Sequence, residues 1–440
     1  MGSIFRCGRS VLRGEVQIPA SKSHTIRAVA IGSLAVGESR ILNPLDSHDT
    51  EAAVRVYRGL GAGIEAGPEA WSIRGTGGEL QVPADVLDVA NSGTTLMFTL
   101  GSCGLLKEGA AVLTGDAQTR RRPADPLIAS LNDLGAYAFS ARANGRAPFV
   151  VRGRLSGGVT SIEAHSSQYL SSLLLNAPLG DGETLIQVRL LNEQPYVWMT
   201  LDWMRRQGIQ FEQDDLREFR IPGSQAYWPF VGKIAGDFSS ATFFLAAGAL
   251  EGNEITCCGL DIKDPQGDKA VIDYLRQMGA QVQVQGDRVR VRAKELRGAD
   301  LDLNHTPDAL PMMAVLGCFA RGTTRLFNVP QARIKETDRI AVMATELRKM
   351  GARIEEMADG LIIQESPMKG ARVHGHGDHR VVMALAVGGL GVPGETEIDT
   401  AEAACVTFPE FAEYVARVGG NLTVAEDDGR RYESTGGSPC

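Results

Sequence analysis

The chain has 440 residues, 43% hydrophobic and 22% charged, the balance of a globular protein with room for two domains of roughly 200 residues. Its formal net charge of −8 excludes a broad basic face for nucleic acid or acidic membrane, so an anionic ligand must be met by a local cluster of cations. No apolar run reaches the ~18 residues needed to cross a bilayer and the N-terminus carries no secretory-type apolar segment, so a cytoplasmic protein with no membrane or nucleic-acid partner is expected.

Taken in chain order, the predicted elements repeat. A glycine closing one apolar helix and opening a strand recurs at Gly37, Gly109, Gly182, Gly252, Gly322 and Gly394, with spacings by subtraction of 72, 73, 70, 70 and 72. A second series, Gly61, Gly135, Gly208, Gly279, Gly351 and Gly419, ends an amphipathic helix at spacings of 74, 73, 71, 72 and 68. Runs such as Gln281-Val282-Gln283-Val284 follow the second series and read as half-buried strands. Glycine suits the left-handed cap of the helix before it. Each unit is thus an apolar helix, a glycine turn, a strand, a loop, an amphipathic helix, a second glycine and one or two strands.

A period this long does not fit a solenoid, whose repeats run to about 50 residues; three units per domain fits better. The apolar helices, for example Ala241 to Leu250 and Val381 to Gly389, are hydrophobic around most of their circumference. They belong inside, under covering sheets, which argues against a doubly wound parallel sheet with amphipathic helices outside. The stretch from Pro222 to Gly236 falls between the third and fourth units and reads as an interdomain crossover. From Ala425 on the chain is polar and glycine-bearing, and a flexible tail is expected there.

Each apolar helix opens on small polar or charged residues: Ser21-Lys22-Ser23, Asn91-Ser92-Gly93-Thr94, Ser166-Ser167-Gln168, Asp237-Phe238-Ser239-Ser240, Pro307-Asp308 and Asp378-His379-Arg380. One such cluster is ordinary N-capping. Six at matching points of a repeat gather helix N-termini suited to phosphate and carboxylate. Cations fall beside them at Lys22, Arg27, Arg120 to Arg122, Lys335, Arg339 and Arg380, as a ligand with several negative charges requires. The seven scattered cysteines, with no CxxC pair, suggest neither disulfides nor zinc. Gly389 to Gly394 matches GxGxxG but sits between a helix and a strand, the reverse of the dinucleotide-binding order. His374, His376 and His379 form an HxHxxH string, of which only His379 is expected at the site, and not as a metal ligand.

Together with Pro19 to Ser23, Arg27, Asn91 to Thr94, Arg122-Pro123, Ser166 to Leu170, Pro195-Tyr196, Pro307 to Ala309, Asp378 to Arg380 and Thr407 to Pro409, the motif Lys335-Glu336-Thr337-Asp338-Arg339 resembles the enolpyruvyl transferases, the 5-enolpyruvylshikimate-3-phosphate synthases in particular. The resemblance spans almost the whole chain in order. It implies an inside-out α/β barrel pair: residues 15–232 as a first domain of three βαβαββ-like units, residues 1–14 and 233–424 as a second, and 425–440 as the tail, with a further crossover near Gly14. It implies transfer of the carboxyvinyl group of phosphoenolpyruvate to shikimate 3-phosphate, with no metal or organic cofactor, by a monomer.

It also implies roles. Lys22, Arg122, Arg339 and Arg380, the backbone around Gly93 and the amide of Gln168 would hold phosphoenolpyruvate, whose carboxylate and phosphate suit bidentate arginines. Ser23, Arg27, Ser166, Ser167, Tyr196, Asp308, Gln331 and Lys335 would line the acceptor site, the serines and Lys335 facing its phosphate; His379 is counted with the substrate-binding residues. Glu336 is the expected acid at carbon, Asp308 the base at the hydroxyl and Lys22 a shared cation. Four residues depart from the pattern. Glu193 stands where many members have a serine near the acceptor phosphate, Val406 replaces a lysine, Met97 an arginine and Gln331 an asparagine. They keep open a same-fold transferase or dehydratase for a related, unphosphorylated cyclic alcohol. No cysteine occupies Gln118 to Pro123, where the sister transferase for UDP-amino sugars usually carries a reactive one.

Overall fold

The protein is described from a computed structural model, which covers residues 2–426. Twelve α-helices appear among them. In chain order these are α1 (Lys22–Leu34), α2 (His48–Gly59), α3 (Gly93–Cys103), α4 (Asp125–Asp133), α5 (Ser167–Asn176), α6 (Gln194–Arg206), α7 (Phe238–Gly248), α8 (Val271–Gln277), α9 (Leu310–Phe319), α10 (Arg339–Lys349), α11 (His379–Gly391) and α12 (Phe411–Arg417). The odd-numbered members are the apolar helices of the six units. Every residue of α7 is buried, and its polar atoms find local partners: Thr242 donates to the Phe238 carbonyl at 2.9 Å and Asp237 accepts from the Ser239 amide. That satisfaction lets the helix lie inside without orphaned polar groups. The even-numbered helices bury one face; in α10 it is Ile340, Met343, Ala344 and Leu347, the spacing of an amphipathic helix.

Six four-stranded sheets cover the helices, and all share one topology. In the sheet of the third unit, Gly158–Ala164 runs parallel to Thr184–Leu191, which pairs antiparallel with Glu218–Ile221, itself antiparallel to Glu212–Asp214. Three sheets take a strand from far away in sequence. Val231–Lys233 returns to pair with Glu38–Leu42 of the first unit, while Arg13–Gln17 pairs with Glu254–Cys258 of the fourth. Ser3–Gly8 lies in the last sheet between Glu395–Ile398 and Asn421–Glu426. The fold is therefore the expected inside-out α/β arrangement.

Two separate cores result. One gathers apolar residues from Ala20 to Ile234, the other joins Phe5 to Ile18 with residues from Phe238 to Leu422. Each fully buried Leu, Ile or Phe contributes about 1.5–3 kcal/mol. Around Phe411 the rings of Phe5, Phe243, Phe244 and Phe408 lie 5.7–6.3 Å away, fixing the N-terminal strand onto the last unit. The strand pairing carries the first passage between the cores past Gln17, beyond the Gly14 expected. The two passages touch: Ser21 donates to the Ala235 carbonyl and Asp237 to that of Pro19, both at 2.9 Å.

All six glycines of the second series have positive φ, from 71° to 102°, as left-handed helix caps require. Of the first series only Gly182 does not; there a Cβ would meet the Ser156 carbonyl, so close backbone approach demands the glycine instead. Ala425 and Glu426, placed in the expected tail, pair with Ile4 and Ser3; the rest of that tail lies outside the described residues. No helix among those residues is long and apolar enough to cross a membrane.

Candidate active site

The N-termini of the buried helices converge on one charged site between the two cores. Ser21, Ser166, Asp237 and Asp378 each cap their helix by accepting a backbone N–H, and Lys22 and Ser167, just inside two of these caps, line the site. Lys22, in the first turn of α1, donates to Asp49 at 2.8 Å. Arg122 meets Glu336 at 2.8 Å. Its guanidinium packs so closely on Gly93 that any side chain there would collide with it, which accounts for the glycine in Asn91 to Thr94.

Arg339 is the hub. It is fully buried and reaches Asp308 at 2.7 Å, Glu336 at 2.6 Å and Asp378 at 2.8 Å. Arg380 holds the other oxygen of Asp308 at 2.9 Å and donates to the Ser239 hydroxyl. Lys335 pairs with Glu193. Five cations thus face five carboxylates. Arg27 differs: it donates to Thr200, the Ser23 carbonyl and the Tyr196 carbonyl, each at 2.9 Å, and lies over the Phe98 ring. With burial and only neutral partners, its guanidinium is lowered to about 10, the mark of a cation suited to an anion.

Burial alone would raise the Glu336 carboxyl, but Arg122 and then Arg339 hold it well below the ordinary carboxylate range. Arg380 and Arg339 likewise outweigh burial at Asp308 and keep it ionised. For Lys22, burial is offset by Asp49 and Glu336, and the ammonium is raised. The space left among these groups is about 40 Å³, roughly three waters, and most of the cations around it are paired with carboxylates.

The cavity is lined by eleven of the expected residues: Lys22, Ser23, Arg27 and Gly93 from the first half, then Arg122, Ser167, Gln168 and Tyr196, then Asp308, Lys335 and Glu336 from the second half. Ser166 and Gln331 line a smaller adjoining space with Met97. Arg339 and Arg380 stand behind the wall, touching Asp308. His379 is buried, both ring nitrogens lack hydrogen-bond partners among the described residues, and burial lowers its pKa to about 3; it is a neutral ring behind the site. Val406 does not line the cavity. His374 and His376 engage Asp399 and Glu346.

Sequence reasoning missed Asp49 and Asp268. Asp49 is in the first turn of α2, and Asp268, in the turn before α8, accepts from the Tyr196 hydroxyl at 2.7 Å. The signal was available: the amphipathic helices also open on charged residues at matching points of the repeat. Burial, then the nearby charge of Asp308, pushes Asp268 up to about 7. A raised acid pKa means stability is present below the ordinary Asp value of about 3.9 and is lost as pH rises toward 7. Asp268→Asn is therefore expected to gain on the order of 1–2 kcal/mol over the parent at pH 8 and little at pH 4. Parallel denaturant unfolding curves at the two pH values check this, and equal differences at both would refute it.

A fold of six inward-facing helix units around paired cations and carboxylates defines an enzyme scaffold for small polyanions. The family model for EPSP synthase (3-phosphoshikimate 1-carboxyvinyltransferase) matches residues 7–415, and the chain belongs to that family. Relatives named 3-phosphoshikimate 1-carboxyvinyltransferase include one from Acetivibrio thermocellus, 52% identical over 96% of this chain and 100% of its own length. Another, from Ruminiclostridium cellulolyticum, is 49% identical over 94% and 98%. The solved EPSP synthase of Acinetobacter baumannii superposes with a TM-score of 0.80 at 26% identity, covering 97% of this chain and 100% of its own.

Proposed function

We propose that the chain transfers the enolpyruvyl group of phosphoenolpyruvate to the 5-hydroxyl of shikimate 3-phosphate, releasing phosphate. The observation that carries the reading is the pair of half-buried carboxylates, Asp308 and Glu336, facing the cavity and held ionised by the arginines around them, inside a family with this activity. In the addition step the acceptor oxygen bonds to the enol carbon of phosphoenolpyruvate. The hydroxyl proton passes to Asp308, and a proton from Glu336 turns the methylene into a methyl group. In the elimination step the carbon–oxygen bond to phosphate breaks, the methyl returns a proton to Glu336, the double bond reforms as an enol ether, and the departing phosphate carries off the proton that Asp308 took.

Glu336 has to gain proton affinity before it can act as the acid. Phosphoenolpyruvate draws Arg122 and Lys22 to its own charges, and with that attraction gone burial raises the Glu336 carboxyl until it can carry a proton. Arg339 and Arg380 supply fixed positive charge where the departing phosphate gathers negative charge. Arg27, with no carboxylate of its own, suits the acceptor's carboxylate. Purified protein given phosphoenolpyruvate and shikimate 3-phosphate is expected to release phosphate. Release with unphosphorylated shikimate or UDP-N-acetylglucosamine, and none with the first pair, would overturn the reading.

A further inference from the structure

The site holds a carboxylate that the chemistry above does not use. Glu193 precedes α6 at its N-cap position with φ of +58°, yet its side chain makes no cap bond to that helix. It reaches instead to the neighbouring helix end, accepting from the Ser167 amide at 3.1 Å and the Ser167 hydroxyl at 2.7 Å, and pairs with Lys335 from the opposite half of the molecule. It is 1% exposed. A left-handed backbone is costly for a residue with a Cβ, so the surroundings impose it, and its effect is to aim the carboxylate inward.

The three donors it occupies, a first-turn helix amide, a hydroxyl and an ammonium, are together a seat for a phosphate. The two substrates bring two phosphates and two carboxylates. Lys22, Arg122, Arg339 and Arg380 surround the reacting centre, and Arg27 stands apart without a carboxylate partner. The remaining seat built on a helix N-terminus is the one Glu193 fills. We propose that Glu193 is an internal competitor for the acceptor's phosphate: the phosphate takes Ser167 and Lys335 only after the carboxylate has swung away, so Glu193 sets the acceptor's KM. Carboxylate and phosphate cannot share the seat, since two negative charges at such distances repel strongly once desolvated.

The inference rests on the acceptor reading given above. Phosphate release is measured for the parent, Glu193→Ser and Glu193→Gln, varying shikimate 3-phosphate at saturating phosphoenolpyruvate and then the reverse. Glu193→Ser is expected to lower the acceptor KM about tenfold or more, Glu193→Gln to lower it in the same direction, and the KM for phosphoenolpyruvate to move less than twofold. Unphosphorylated shikimate should gain nothing. If Glu193→Ser does not give a folded melting transition, Glu193→Gln decides alone. An acceptor KM that stays or rises, or an equal gain for unphosphorylated shikimate, overturns the competitor role while leaving the activity standing. Absence of turnover in all three proteins instead removes the acceptor reading, and this inference with it.

Discussion

Glu336→Gln is expected to cut turnover by about 10²–10⁴-fold while leaving the melting temperature within a few degrees. The amide keeps the shape of the carboxylate, and its single oxygen can still accept from one of Arg122 and Arg339, which meet separate oxygens of Glu336 at 2.8 and 2.6 Å. It cannot deliver a proton to the methylene carbon or take one back. The change also leaves the cluster one positive charge richer, so affinity for phosphoenolpyruvate should hold or rise, and the loss should fall on kcat. Steady-state kinetics with a parallel thermal melt check this; unchanged kcat would remove Glu336 from the chemistry.

Arg339→Met should damage both fold and function. The guanidinium is completely enclosed and neutralises Asp308, Glu336 and Asp378 together. Methionine has similar length but strips Asp378 of its guanidinium and leaves Asp308 and Glu336 with one arginine each, Arg380 and Arg122. Removing one partner from a buried ion pair costs about 3–5 kcal/mol, and losing a preorganised charge at the departing phosphate costs a further factor of about 10²–10³ in rate. Arg339→Lys separates the two effects. It restores a charge and part of the stability, but an ammonium cannot reproduce a planar fork that binds carboxylates on several sides, so activity should stay low. Denaturant unfolding and kcat/KM report the two losses independently, and near-parental turnover in the lysine variant would sink the geometric argument.

The repeat was legible because its signals are local. A left-handed cap needs glycine wherever it falls, so the Gly61 to Gly419 series is written in the residues themselves, and a helix as apolar as Phe238 to Gly248 has nowhere to go but inside. Most of the site was legible for a related reason: helix N-termini gather caps and anion-binding groups at positions fixed by the helix start. What escaped depends on pairing across the chain. The partnership of Arg13–Gln17 with Glu254–Cys258 joins segments more than 230 residues apart, and nothing in either names the other. Asp49 and Asp268 open their helical turns at matching points of the repeat, but what they hold depends on Lys22 and Tyr196, which reach them from distant segments. His379 shows the converse: it sits in the right motif, but it is buried and does not line the cavity.

The two passages between the cores have a mechanical consequence. Residues 18–21 and 234–237 run side by side and are stitched by the amides of Ser21 and Asp237. Two tethers bonded to each other resist twist and lengthwise slip, leaving bending across the pair as the soft movement. Each passage leads straight into a helix start at the site, Lys22 in one direction and Asp237 in the other. Flexing this double-stranded strap therefore swings the charged ends of α1 and α7 toward or away from each other, so the joint and the jaws of the enzyme are built from consecutive residues.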